Sequence, residues 1–325
     1  MIESLRNKFV KERFDLQEIL LVPVFATVLA LLIGCFFLLA TGESFANIFV
    51  AYSSLFIGSL GSLNAISETF TAATPLVFAA LGIALAFRAG LFNIGAEGQM
   101  IIGGLATVIV GFSIDFLPIW IHLPLALSIG ALFGALYAAI AGWLKAYTGA
   151  HEVISTIMLN LIALRLLDYV LRSPIIQKEG RNDPISKSIL DSAELPQILA
   201  FIDPQLRLHG GFLLMLVAVF FIYWLLFHTT IGYEFRATGA NPNAAKYAGI
   251  KAGLTIVLVM AIAGALAGLA GANQITGVLG RASPGFSASI GFDAIAVALL
   301  GRSHPIGVLF AGLLFGALIA GGRLM

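Results

Sequence analysis

Eight stretches of roughly 20 residues with few charges recur along this chain, near 20–40, 64–87, 95–113, 119–144, 152–171, 211–229, 253–278 and 304–322. One helix of about 20 apolar residues is what it takes to cross a bilayer core. A chain that repeats such runs eight times has no water-soluble fold that hides them all. Composition agrees: 59% of the 325 residues are hydrophobic and 11% are charged, against about 25% charged in a soluble domain. The expected class is an all-α integral membrane protein, a polytopic helical bundle of about eight full spans. Two further apolar segments, 45–62 and 286–301, are short; the first is rich in Ser and Gly, and the second holds Asp293. Such segments read as re-entrant or broken, which survive at membrane depth only where protein or a wet cavity surrounds them.

The first 19 residues read as an amphipathic leader, and 20–325 as one transmembrane domain. The leader's charges run too long for a cleavable signal. Lys and Arg in short loops mark the cytoplasmic side. With Arg6, Lys8, Lys11 and Arg13 inside, Arg88, Lys145 and the loop 230–252 also fall inside, and 172–210 falls outside. The outer segment runs against the rule, since it carries Arg172, Lys178, Arg181, Lys187 and Arg207. The last span leaves "RLM" outside, so either a returning helix belongs beyond it or the chain ends there natively.

Glycines four apart (Gly130/Gly134, Gly264/Gly268, Gly312/Gly316) lie on one helix face and let backbones approach. "ALGIALAFR" at 80–88 faintly echoes "AIAVALLGR" at 294–302. Catalytic and metal motifs are missing from the sequence: there is no phosphate loop, no H-E-x-x-H, no G-x-S-x-G and no cysteine pair, Cys35 being single. His122, His151, His209, His228 and His304 are scattered near span ends and read as interfacial rather than as ligands. A net charge of +1 gives no footprint for nucleic acid.

Polar residues inside apolar spans are costly and raise a functional question. In "FRAGLFNIGAEGQM", Arg88 and Gly90 suit a helix end, and Asn93 suits the start of the next helix, with Glu97 and Gln99 in its first turns. These groups either cap helices or line a solute path or gate. The same two readings stand for Asn160, about two turns into its span, and Glu152 suits a helix start. Asp293 is the least easily read as a cap. Arg165 and Asp168, three apart, are placed to pair locally, and Glu68 is a further acid within a span. In "RATGANPNAAKYAGI", Asn241 followed by Pro242 is a strong helix start, and Gly249 can end about two turns. Small alanines flanked by Arg236 and Lys246 suit docking better than catalysis.

These blocks, together with "HEVISTIMLN" and "GFDAIAVALLGRSHPIGVLFAGLLFGAL", resemble in order the permease subunit of bacterial ABC importers, in the nucleoside and simple-sugar branch of the branched-chain amino-acid permease-like family. The resemblance covers roughly residues 20 to 325 and implies a type II-like importer permease in the bacterial plasma membrane, N-terminus cytoplasmic. It implies a second permease chain (identical or homologous), two cytoplasmic ATPase subunits holding ATP and Mg, and an extracellular substrate-binding protein. No cofactor or ATP site is expected in this chain. The loop 230–252 would couple it to the ATPase through Arg236, Gly239, Ala240, Asn241, Pro242, Ala244, Ala245, Tyr247, Ala248 and Gly249. Asn93, Glu97, Gln99, Asn160 and Asp293 are the candidates for solute path or gate, resting on burial cost alone. The resemblance implies a further helix beyond the point where this chain stops. The rival readings are an ion-coupled secondary transporter using Glu97 or Asp293, and a membrane-embedded enzyme.

Overall fold

The computed structural model describes residues 16–325, with side-chain surroundings from residue 24. The leader expected over 1–19 therefore lies mostly outside the described residues. Twelve α-helices follow in order: α1 Leu16–Ala40, α2 Phe45–Leu60, α3 Leu63–Arg88, α4 Ala96–Ser113, α5 Ile119–Trp143, α6 Glu152–Leu171, α7 Gly211–His228, α8 Thr230–Ala240, α9 Pro242–Tyr247, α10 Ala252–Gln274, α11 Ile290–Leu300 and α12 Pro305–Gly322. Isolated bridges at Gln177–Ser186 and Gln197–His209 are the only β pairing among the described residues. Among the described residues seven helices are long and apolar enough to cross a membrane: α3, α4, α5, α6, α7, α10 and α12. They match seven of the eight expected spans; the eighth, 20–40, falls on α1, whose described apolar part is Val24–Ala40, and the chain is a multi-pass membrane protein.

Local chemistry explains the boundaries. Ser62 Oγ accepts from Ala65 N at 3.0 Å and starts α3. Arg88 sits in the last turn of α3, and Gly90 just beyond takes φ +71, the left-handed stop expected of a glycine there. His304 Nδ1 accepts from Ile306 N at 3.2 Å and, with Pro305 at the first helical position, starts α12.

The core sits on α3 and α4, whose most apolar stretches are 83% and 78% buried, against 22% for α5 and α6. All three expected glycine pairs are close helix contacts. A Cβ on Gly134 of α5 would strike the Gly264 carbonyl and Gly268 Cα of α10, and one on Gly312 or Gly316 of α12 would strike Val77 or Thr69 and Ala73 of α3. Small residues let these backbones touch, and dispersion replaces the hydrophobic drive that lipid cannot supply.

The segment 172–210 folds across one end of the bundle. Leu190 N donates to Gly111 O at 2.9 Å, Leu208 N donates to Ser67 Oγ at 3.0 Å, and the His122 ring lies 2.7 Å from Ser192 Oγ. At the opposite end Lys145 pairs with Glu152 at 2.9 Å, and Arg88 Nε donates to Ser303 O at 2.9 Å. The two echoing stretches thus end beside one another. Two sequence expectations change here. His122, His209 and His304 are buried, not interfacial: His122 lies under the 172–210 segment beside Ser192, His209 ends that segment packed on Gly277, and His304 caps α12 against Phe227. No ion pair joins Arg165 to Asp168; Arg165 is exposed, and such a pair gains only about 0.2–0.5 kcal/mol on a helix.

Both short apolar segments contain short helices. α2, with 16 residues, spans about 24 Å, and α11, with 11 residues, about 16 Å, against a core of about 30 Å. α11 is preceded by irregular chain and bracketed by two left-handed pairs, Ala288 (φ 47) and Ser289 (φ 63) before it, Arg302 (φ 54) and Ser303 (φ 50) after it. Non-glycine residues held this way cost about 1–3 kcal/mol each and persist only where surroundings enforce them.

Candidate functional site

Four of the five path or gate candidates meet in one buried network around the turn between α3 and α4. Asn93 and Gln99 pair through both amide groups: Asn93 Nδ2 donates to Gln99 Oε1 at 3.1 Å, and Gln99 Nε2 donates to Asn93 Oδ1 at 2.9 Å. The helix start differs from the expectation. Gly95, not Asn93, is the N-cap of α4, and Asn93 Oδ1 instead accepts from Gly95 N at 3.0 Å, fixing the approach to the helix. Asn160 reaches across from α6. Its Oδ1 accepts from Gly98 N at 2.8 Å, and its Nδ2 donates to Ile94 O at 2.9 Å. These backbone groups are left over at a helix start and would otherwise be unpaired away from water.

Glu97 extends the network to the broken segment. Its Oε2 accepts from Gly291 N at 2.8 Å, and its Oε1 accepts from Ser287 Oγ. Gly291 lies in the first turn of α11, so the carboxylate sits at that helix's N-terminus, where partial positive charge collects. Gly291 must be glycine here, because a Cβ would strike the Glu97 backbone. Asn93, Glu97, Gln99 and Asn160 are all under 5% exposed. They hold backbone in place.

Asp293 lies apart from this network. It is exposed, in the first turn of α11, and lines a cavity of about 230 Å³ with Glu68, Thr71, Pro75, Arg207, Gln274 and Arg323, among others. Glu68 Oε2 accepts from Arg323 Nη1 at 2.8 Å, with Arg207 Nη1 3.5 Å away. Thr71 and Gln274 add neutral polar groups, and Pro75, Val278 and Ile319 supply apolar wall. The sequence marked Glu68 as an acid within a span but gave no place for it. Thr71 and Gln274 carried no signal, being ordinary residues that only packing of α3 against α10 brings together. Among the described residues no group of three or more metal-ligating side chains converges.

At the far end, the Asn-Pro loop folds as its sequence implies. Asn241 Oδ1 accepts from Asn243 N at 3.0 Å and Ala244 N at 3.1 Å, Pro242 opens α9, and Gly249 takes φ +86 beyond its end. Ala240, Asn241, Pro242, Ala244, Tyr247, Ala248 and Gly249 are exposed, Tyr247 at 93%. Three residues of the coupling set turn inward instead. Ala245 is 3% exposed, Gly239 packs on the backbone of Arg88–Gly90, and the Arg236 guanidinium lies 5.3 Å from the Phe227 ring centre.

The chain is 41% identical over 304 residues to the guanosine ABC transporter permease protein NupP of Bacillus subtilis, covering 93% of this chain and 85% of that protein. It is 38% identical over 305 residues to the nucleoside ABC transporter permease protein NupB of Lactococcus lactis, covering 93% and 83%. It is 35% identical over 306 residues to the glucose ABC transporter permease protein TsgB13 of Haloferax volcanii, covering 92% and 79%. No solved structure gives a significant match. Residues 65–324 match the model of the branched-chain amino acid transport system / permease component, and the chain belongs to that permease family.

Proposed function

We propose that this chain is the pore-forming subunit of an ATP-driven importer for a nucleoside or a simple sugar. The observation that carries the proposal is the separation of two sites on one bundle: a polar cavity around Asp293 at one end, and an exposed, capped Asn-Pro helix at the other. Relatives that bear the names guanosine, nucleoside and glucose transporter permease share 35–41% of aligned residues with it. Those solutes are neutral and rich in hydroxyls. Asp293, Thr71 and Gln274 offer acceptors and donors for hydroxyls, and Pro75, Val278 and Ile319 offer apolar contact. The cavity, about 230 Å³, is smaller than the roughly 300–1,000 Å³ that encloses a small ligand. A second permease chain, identical or homologous, would supply the facing wall.

In this reading the exposed face of α9 docks on a cytoplasmic ATPase subunit, the cavity opens outward beneath the 172–210 segment, and the N-terminus is cytoplasmic. A substrate-binding protein delivers solute from outside. ATP and Mg belong to the ATPase partners, and this chain carries no ATP site and no cofactor of its own. Alternating access needs only that solute bind the outward-open state better than the inward-open one, by a few kcal/mol. The test is uptake of labelled guanosine, adenosine, cytidine, ribose and glucose by vesicles holding the full complex. Saturable ATP-dependent uptake of a nucleoside or sugar, reduced at least tenfold by Asp293→Asn, supports the proposal. ATP-dependent uptake unaffected by that substitution removes the cavity from the path.

A further inference from the structure

We propose that Arg88 is a positioning residue that ties the coupling loop to α11 as a rod and so carries motor movement to the Asp293 cavity. The inference rests on the reading that the 230–252 loop receives the ATPase. α11 is a short helix between two joints, each built of two left-handed non-glycine residues; these four are the only such residues among those described. A rigid helix between two such joints moves as one piece. Its first turn carries Asp293 into the cavity. Its outer end is held by Glu97 through Gly291, and the same side chain holds Ser287 on the other side of the outer joint.

The inner joint is where the coupling loop arrives. Arg88 Nε donates to the carbonyl of Ser303, 215 residues along the chain, at 2.9 Å. Behind Arg88, Gly239 of the coupling loop presses on the Arg88 carbonyl, Ala89 and Gly90, and a Cβ at Gly239 would overlap that backbone. Backbone against backbone at this distance leaves no slack, so displacement of the loop displaces Arg88. A second contact runs in parallel. The guanidinium carbons of Arg236 and Arg88 lie 5.3 and 5.9 Å from the Phe227 ring centre. Phe227 in turn stacks on His304, the cap of α12, at 5.3 Å and 22°. Loop, Arg88 and the 301–304 corner form one packed unit. Such a packed contact transmits a shift only where the element it biases has discrete arrangements, and the proposal places those arrangements in α11, between its two left-handed pairs.

The experiment uses the whole complex in vesicles, with ATP hydrolysis, solute uptake and melting temperature measured on the same preparation. Arg88→Ala and Arg88→Lys are compared with the native chain. The expected result is that uptake per ATP hydrolysed falls at least tenfold in Arg88→Ala and at least threefold in Arg88→Lys. Hydrolysis stays within twofold in both. A native ratio in either Arg88 variant overturns the proposal. So does a fall of uptake, hydrolysis and melting temperature together in both, which marks a residue that only supports the fold. Tyr247→Ala is assayed for ATPase subunits retained on the purified permease. Undiminished retention would count against the docking loop itself, independently of Arg88.

Discussion

Glu97 lies at the junction between α4 and the start of α11, and the effect of replacing it follows from its two hydrogen bonds. In Glu97→Gln the amide oxygen can still accept from Gly291 N, and the new NH2 can donate to Ser287 Oγ after its hydroxyl turns. What is lost is the charge. A carboxylate at a helix N-terminus is worth about 0.3–1 kcal/mol, and up to about 2 when partly buried; hydrogen bonds to charged groups are roughly twice as strong as neutral ones. The sum is a loss of about 1–3 kcal/mol. Glu97→Ala leaves the Gly291 N–H and the Ser287 hydroxyl both without partners in a site where Glu97 is 4% exposed. At about 1–3 kcal/mol for each orphaned group, that loss is about 2–6 kcal/mol. Thermal unfolding of the purified permease should therefore rank native above Gln above Ala, with the solute concentration for half-maximal uptake little changed in Glu97→Gln. Equal stability of all three, or a large rise in that concentration with native stability, would refute the capping role.

Further outcomes follow from other parts of the structure. Gly134→Val forces side-chain atoms into the Gly264 carbonyl and should cost at least the about 1–3 kcal/mol of overpacking, read as loss of folded protein in detergent. Asn160→Ala orphans Gly98 N and Ile94 O and should destabilise by about 2–6 kcal/mol in the same assay. Ala245→Asp puts a charge at a position 3% exposed, so it should unfold the short α9 and lower stability locally rather than act only through docking, read as faster protease cleavage of the loop. His209 is buried, and burial first, then nearby Arg207, pushes its pKa down to about 4. The unfolded chain, with an ordinary pKa of about 6.5, binds the proton that the folded one refuses, so stability falls as pH drops from about 6.5 toward 4, by about 3 kcal/mol at the lower limit. His209→Gln should flatten that part of the stability curve.

What was legible in the sequence was what depends on near neighbours. Asn241, Pro242 and Gly249 specify α9 within nine residues, and Arg88 with Gly90 specifies the end of α3, because caps and left-handed stops act over one turn. Span positions and the glycine faces were legible for the same reason: length and a four-residue repeat are properties of a single helix. The break before α11 was legible as a short apolar run. The partner of that break was not, since Glu97 and Gly291 are 194 residues apart. Asn160 likewise reads as either ligand or structure until the turn it holds, 62 residues earlier, lies beside it. Burial of His122 and His209 depends on how 172–210 folds over the bundle, which no periodicity encodes. Ala245 shows the limit of composition: a small residue in a docking loop can serve the loop's own packing.

The central claim is that solute moves through this chain only when a separate nucleotide-hydrolysing subunit drives it. Vesicles containing the permease partners and binding protein, with and without the ATPase subunits, decide it under imposed proton and sodium gradients. The account predicts accumulation against a gradient only with ATPase and ATP present, and none from either ion gradient. Concentrative uptake by the permease without the ATPase would contradict it.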